Sequence, residues 1–146
     1  MSVDEIRKIR EAIRCFRTGK NVSLGIILKT DAAAKDMYEV LAGYDGVEEN
    51  QVEENQVEGN GEEACDISLL TRESTSFQNG ISITSVRMSK GLEFDEVLIP
   101  QADCRTYTSD FDRGLLYIAC TRAMHRLTLT YSGKETEFIS GQPPFL

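Results

Sequence analysis

Two stretches decide the predicted fold of this 146-residue chain: ISITSVRMSKGLEFDEVLIP at residues 81–100 and DFDRGLLYIACTRAMHRLTLTY at residues 110–131. In the first, Ile81–Ser85 alternates β-branched and hydroxyl residues, and Glu96–Pro100 is an apolar run closed by proline, so both predict strands. The turn between them contains Gly91. The first stretch is therefore predicted to form a strand, a turn and a second strand.

The second stretch predicts a helix followed by a strand. Asp110–Met124 repeats apolar residues at helical spacing, and Arg126–Tyr131 alternates apolar with polar residues. Near the end of this helix stand Thr121 and Arg122. An arginine there either compensates the helix dipole or projects toward an anion, and the spacing alone leaves both readings open.

The amino-terminal part of the chain predicts a helix and then a strand. Ser2 and Glu5 have the spacing of a capping box, apolar residues then recur at helical spacing, and Gly19 is a good stop. The apolar run Val22–Leu28 predicts a buried strand.

A second helix and a further strand follow. Asp31 is predicted to cap a helix over Ala32–Ala42 that ends at Gly43, and Asp66–Leu70 predicts a short strand. Because strands and helices interleave, we expect an α/β layered fold with a mostly parallel sheet, in one domain spanning residues 1–146.

Acidic residues dominate the net charge. The chain has 24 Asp and Glu against 16 Lys and Arg, a formal charge of −8, and residues 45–63 (DGVEENQVEENQVEGNGEE) carry that entire excess. This total argues against a strongly basic nucleic-acid binder of the histone type. We expect residues 45–63 to form a disordered, solvated loop, with an acidic interaction arm or a nucleic-acid mimic as the alternatives.

The remaining composition predicts a cytoplasmic protein with reduced thiols. No apolar run approaches the roughly 18 residues of a membrane span, and the start does not resemble a signal peptide. The four cysteines show no CxxC spacing and the chain has a single histidine, so no metal site is expected. Cys120, on the predicted helix, is expected to be a small buried hydrophobe.

KGLEFDEV at residues 90–97 and LLYIACTRA at residues 115–123 closely resemble motifs V and VI of superfamily 1 DNA helicases of the UvrD/Rep type. The resemblance is strong over Ile81–Ser132, weaker over Val22–Ala42 and absent over the acidic segment. It implies a RecA-like, three-layer C-terminal domain of a helicase that couples two RecA-like domains.

The resemblance implies a nucleotide site. Arg122 would be the catalytic arginine that reaches the γ-phosphate, and Glu93 would accept hydrogen bonds from the ribose hydroxyls. Gly91 would permit close approach of the backbone, with Lys90 beside it as a nucleotide contact or a solvated turn lysine. Tyr117 is expected to pack in the core more than to contact ligand.

The resemblance also implies contacts with single-stranded DNA. Ser85 and Arg87 align with a threonine and a histidine that lie along the DNA in relatives. An arginine in place of histidine can still stack on a base or pair with a phosphate, although the type of contact would differ. The expected partners are single-stranded DNA, an N-terminal P-loop domain of the same parent chain, and RNA polymerase or repair proteins, with no membrane.

The P-loop itself is not in this sequence. Gly19-Lys20 and Gly133-Lys134 lack the following Ser or Thr of GxxxxGK[ST] and its earlier glycine. Asp95 and Glu96 precede a predicted strand instead of following one, so they do not fit the Mg²⁺-binding acids. ATP with Mg²⁺ is therefore expected only in the full-length protein, and the chain alone is predicted to be inactive. The alternative is a non-catalytic interaction module derived from a helicase domain.

Overall fold

The computed structural model describes residues 2–52, 67–70 and 79–139 of the chain. Within these residues five parallel strands form one sheet in the order β2-β3-β1-β4-β5. The strands are β1 Ser23–Leu28, β2 Ile67–Leu69, β3 Gly80–Ser85, β4 Phe94–Ile99 and β5 Ala123–Leu129. The helices are α1 Val3–Thr18, α2 Asp31–Val52 and α3 Asp110–Cys120, with 3-10 turns at Arg87–Ser89 and Glu137–Ile139. The predicted α/β class with a parallel sheet is confirmed.

Two apolar clusters, one on each face of the sheet, make three layers. Ile26 belongs to the cluster formed with α1 and α2, whereas the next residue, Ile27, belongs to the cluster formed with α3. Successive side chains of a strand point to opposite faces, so the fully buried β1 serves both clusters. This explains why Val22–Leu28 reads as a continuous apolar run.

The start of α1 has only half of the predicted capping box. The Ser2 hydroxyl accepts a hydrogen bond from the Glu5 N–H at 3.1 Å. The Glu5 carboxylate is buried and turns away from Ser2, accepting from the Gln101 N–H at 2.7 Å and from the hydroxyls of Thr130 at 2.9 Å and Ser132 at 2.7 Å. Glu5 therefore ties α1 to the segments that follow β4 and β5.

The bounds of α2 differ from the prediction at both ends. Thr30, not Asp31, caps the helix, since its hydroxyl accepts from the Ala33 N–H at 3.1 Å. The helix also continues past Gly43 to Val52 and so includes the first residues of the acidic segment. A glycine inside a helix costs only about 1 kcal/mol relative to alanine, which by itself does not end a helix. Residues 53–63 lie outside the described residues.

The boundary between α3 and β5 also differs from the prediction. The helix ends at Cys120 instead of Met124, and the chain enters the sheet at Ala123. The Phe94 N–H donates to the Arg122 carbonyl at 2.9 Å, so pairing with β4 begins directly after the turn. No helix in the described part of the chain is long and apolar enough to cross a membrane.

Candidate functional site

The amino edge of the sheet brings Glu93 and Arg122 together. Glu93 directly precedes β4 and Arg122 directly precedes β5, and these parallel strands are neighbours in which Phe94 pairs with Ala123. The two residues predicted to face a nucleotide therefore sit at adjacent strand starts, although 28 residues separate them in sequence.

Arg122 is anchored without being neutralised. Its Nε donates to the Ile118 carbonyl at 3.2 Å and its Nη1 donates to the Leu92 carbonyl at 3.3 Å. No carboxylate among residues 2–42, 67–70 and 79–139 forms an ion pair with it. A guanidinium has five N–H donors in a planar fork, so the anchored side chain keeps donors for an anion.

The end of α3 holds this arginine in place. The Thr121 hydroxyl donates to the same Ile118 carbonyl at 2.7 Å, and the Thr121 N–H donates to the Tyr117 carbonyl at 3.1 Å. The prediction that Tyr117 packs in the core is wrong, because its side chain is 70% exposed while Leu116 and Ala119 face the sheet. An exposed aromatic ring therefore stands one helical turn before the arginine.

Lys90, Gly91 and Glu93 form the approach to β4. The side chains of Lys90 and Glu93 are exposed, and neither forms an ion pair within the described residues. Gly91 has a φ of +83°, a conformation in which other residues are strained, and a Cβ built there would meet nothing within 4 Å. The backbone conformation accounts for the glycine, and the side of Gly91 where a Cβ would point is open.

Ser85 and Arg87 lie at the opposite, carboxyl edge of the sheet. Ser85 is the last residue of β3, and Arg87 begins the 3-10 turn that follows. Glu93, at the other end of the same turn, lies at the amino edge because it directly precedes β4. Since β3 and β4 are both parallel to β1, residues 86–93 must cross from one edge of the sheet to the other.

Asp31 engages both predicted DNA contacts. The Ser85 hydroxyl donates to Asp31 Oδ1, and Arg87 Nη2 lies 2.5 Å from Asp31 Oδ2. β1 and β3 pair with Leu28 opposite Ser85, so the residues that follow these two strands are neighbours. Sequence reasoning treated Asp31 as a helix cap and missed this role, because local patterns do not reveal strand order.

Lys29, which directly follows β1, forms an ion pair with a carboxylate of the same domain. Lys29 Nζ lies 3.0 Å from Asp112 Oδ1, donates to the Thr106 carbonyl at 2.7 Å and stands 5.8 Å from the centre of the Tyr107 ring. The Thr108 N–H, followed by Lys29, holds the pKa of Asp112 well below its usual range. This network was not predicted from sequence.

Two other titratable groups respond to burial. Burial raises the pKa of the Tyr107 hydroxyl and that of the Cys120 thiol. Cys120 is partly buried against the α3-side cluster, in line with its expected packing role. Among the described residues, no group of three or more His, Cys, Asp or Glu side chains is arranged to hold a metal ion.

Comparison with known proteins finds a family model that matches the part of the chain containing Ser85, Arg87, Glu93 and Arg122. Residues 80–130 match the model of the UvrD-like helicase C-terminal domain, which confirms the resemblance read from the two motifs. A solved C-terminal domain of a possible DNA helicase from Lactobacillus plantarum WCFS1 is similar at 24% identity with a TM-score of 0.47, over 99% of this chain and 94% of that one. No curated protein matches the chain.

Proposed function

We propose that this chain is the C-terminal motor domain of an ATP-dependent DNA helicase or translocase. It supplies an arginine finger and a ribose contact to a nucleotide site shared with an N-terminal P-loop domain, together with contacts to single-stranded DNA. One observation carries the proposal. Arg122 is anchored at the amino edge without a described carboxylate partner, beside Glu93, within the matched residues 80–130.

The anchoring of Arg122 suits a transition-state contact. Its bonds to two carbonyls restrict the side chain before any ligand arrives, which lowers the entropy lost on binding a phosphate. Its remaining donors would meet charge that develops on the γ-phosphate oxygens. In related phosphoryl-transfer enzymes such an arginine is worth about 10³- to 10⁵-fold in rate.

The neighbouring residues suit the rest of the nucleotide. The exposed Glu93 carboxylate is an acceptor for ribose hydroxyls, and Lys90 and Gly91 lie on the same approach to β4. When bound, ATP with Mg²⁺ supplies the phosphoryl group and neutralises part of its charge. The P-loop that would hold it belongs to another domain, so we expect no turnover and no tight nucleotide binding by this chain alone.

The carboxyl edge suits single-stranded DNA. Arg87 is 56% exposed and can donate to a backbone phosphate or stack on a base, while Ser85 adds a hydroxyl one turn away. Nucleotide and DNA would then meet opposite edges of one sheet. Residues 86–93 run from one edge to the other, so a continuous stretch of backbone connects the proposed DNA site with the proposed nucleotide site.

Arg122→Ala in a protein that also carries the P-loop domain tests this proposal. We expect ATP turnover to fall about 10³- to 10⁵-fold with little change in DNA affinity. Arg113→Ala is the matched control, because Arg113 is an exposed arginine on α3 that lies 3.7 Å from the exposed Asp110 and 5.9 Å from the centre of the Phe138 ring, away from Glu93 and Arg122. Equal loss of turnover and DNA affinity in Arg122→Ala would contradict the assigned role.

The alternative, a non-catalytic interaction module, is based on an exposed apolar surface. Four large apolar side chains on α3 and β5 are exposed: Phe111 at 75%, Tyr117 at 70%, Met124 at 56% and Leu127 at 41%. A P-loop domain could cover this surface, and so could an unrelated protein. The two candidates separate on Arg122→Ala, since an interaction module would show no arginine-dependent ATP turnover in any assembly.

A further inference from the structure

We propose that Asp31 is a latch that competes with DNA phosphate for Arg87 and Ser85 and must release both before single-stranded DNA binds the carboxyl edge. This inference rests on the DNA-binding part of the proposed function. It concerns a residue outside the two helicase motifs and outside the matched residues 80–130.

One carboxylate holds both side chains. Asp31 directs one oxygen to the Ser85 hydroxyl and the other to the Arg87 guanidinium, at 2.5 Å from Nη2. A carboxylate and a phosphate offer arginine the same pair of acceptor oxygens. A phosphate oxygen that accepts from Arg87 Nη2 therefore needs the position that Asp31 Oδ2 occupies.

The ion pair between Arg87 and Asp31 lies where Arg87 can exchange the carboxylate for a phosphate. The side chains of Arg87 and Asp31 are 56% and 51% exposed, so solvent and a DNA backbone can reach the pair. Exposed ion pairs are weak because water screens them. Ser85, in contrast, is buried and its hydroxyl donates to Asp31, so a phosphate that accepts from this hydroxyl must displace the carboxylate.

Asp31 is not needed as the cap of α2. Thr30 accepts from the Ala33 N–H with its hydroxyl and from the Ala34 N–H with its carbonyl. Ser85 also accepts from the Met88 N–H at 3.2 Å, a bond that orients its hydroxyl oxygen without Asp31. Removal of the Asp31 charge should therefore free both side chains while the helix start and the turn stay formed.

The test measures binding of a fluorescently labelled oligo-dT to the pure chain by anisotropy at low salt. Asp31→Asn should tighten binding about fivefold, since an exposed pair contributes at most about that factor. Asp36→Asn is the matched control, because it removes the same charge from an exposed residue of α2. We expect it to change affinity less than twofold.

A double mutant separates the latch from a general charge effect. In an Arg87→Ala background, Asp31→Asn should have no larger effect than Asp36→Asn. Asp31→Ser, which keeps a small polar residue at the helix start, should reproduce the tighter binding of Asp31→Asn. Thermal melts of every variant confirm that the fold is retained.

The outcomes distinguish failure of the latch from failure of the DNA site. If Arg87→Ala weakens binding and Asp31→Asn also weakens it or matches Asp36→Asn, Asp31 positions Arg87 and the latch is overturned while the DNA site stands. If Arg87→Ala has no effect in either background, the DNA contact itself is overturned. Absence of measurable binding by Asp31→Asn also overturns the latch.

Discussion

The two edges of the sheet treat their cations differently. At the amino edge Arg122 is held by two carbonyls and keeps its charge uncompensated by any described carboxylate. At the carboxyl edge Lys29 is paired with Asp112 and Arg87 with Asp31. A cation held by carbonyls is ready for an anionic ligand, whereas a cation held by a carboxylate must first give up its partner.

In the proposed roles, Arg122 at the amino edge is preorganised, whereas Arg87 at the carboxyl edge exchanges its partner. Preorganisation favours a contact that must be in place when charge develops in a transition state. Exchange of partners favours a contact that forms and breaks repeatedly, as the contacts of a translocating domain must. The two edges therefore differ in the way that a nucleotide site and a DNA track would require.

The largest expected effect comes from replacing Arg122 or Arg87 with alanine, one at a time, in a protein that also has the P-loop domain. Arg122→Ala should lower ATP turnover about 10³- to 10⁵-fold and leave DNA affinity unchanged. Arg87→Ala should weaken DNA binding and reduce the slope of log K against log salt by about 0.7, the value for one phosphate contact on a single strand. Turnover at saturating DNA and anisotropy titrations at several salt concentrations measure both. The comparison of edges breaks if either variant changes both quantities.

A stability effect of intermediate size should come from Glu5. Its buried carboxylate accepts three hydrogen bonds from the segments that follow β4 and β5, so Glu5→Ala leaves those donors without their acceptor. We expect the free energy of unfolding in urea to fall by about 3 kcal/mol, since hydrogen bonds to charged groups contribute about 1.5–3 kcal/mol each and partial rehydration offsets some of the loss. Glu11→Ala, at an exposed position of the same helix, should change it by less than about 0.5 kcal/mol. Equal effects of the two variants would show that the buried network is not what holds α1.

A smaller effect, confined to the amino edge, should come from Gly25. A Cβ at Gly25 in β1 would stand 2.5 Å from the Phe94 ring. Phe94 is the first residue of β4 and directly follows Glu93. Gly25→Ala should therefore cost about 1–3 kcal/mol of unfolding free energy as the ring shifts. Gly114→Ala is the control, because the added methyl meets nothing within 4 Å and alanine favours the α3 helix by about 1 kcal/mol.

The same pair of variants sharpens the comparison of edges. Displacement of Phe94 should disturb ATP turnover in the protein with the P-loop domain more than it disturbs DNA binding. Urea unfolding gives the stability of each variant, and turnover and DNA affinity are then measured under conditions in which both are folded. A greater loss of DNA affinity than of turnover in Gly25→Ala would show that the two edges are not independent.

The sequence predicted the elements better than their relations. Alternation at Ile81–Ser85 and the apolar run Val22–Leu28 identify strands, because period and burial are local properties. Gly43 failed as a helix end, because a single glycine in a helix costs only about 1 kcal/mol. Met124 favours a helix by its own propensity, so only the pairing of β5 with β4 decides where α3 ends.

The candidate site was predictable as residues but not as an arrangement. The motifs pointed to Glu93 and Arg122, which the sheet brings to adjacent strand starts. They could not reveal that Ser85 and Arg87 lie at the other edge, or that Asp31 holds them. Those facts depend on β1 lying between β3 and β4, an order that no local pattern encodes.

The smallest expected effect concerns acid stability at the carboxyl edge. The Thr108 N–H and Lys29 hold the pKa of Asp112 below its value in the unfolded chain, about 3.9. A carboxyl whose pKa is lower in the folded state stabilises the fold above that unfolded value and loses this contribution as the pH falls below it. Asp112→Asn should therefore make the free energy of unfolding fall less steeply between about pH 4 and pH 2. The exposed Asp110→Asn on the same turn should leave the slope as it is, and urea unfolding across this range measures both. An unchanged slope in Asp112→Asn would mean that neither the Thr108 N–H nor Lys29 lowers the pKa of Asp112 in the folded state, and the contrast between the edges would then rest on Arg87 alone.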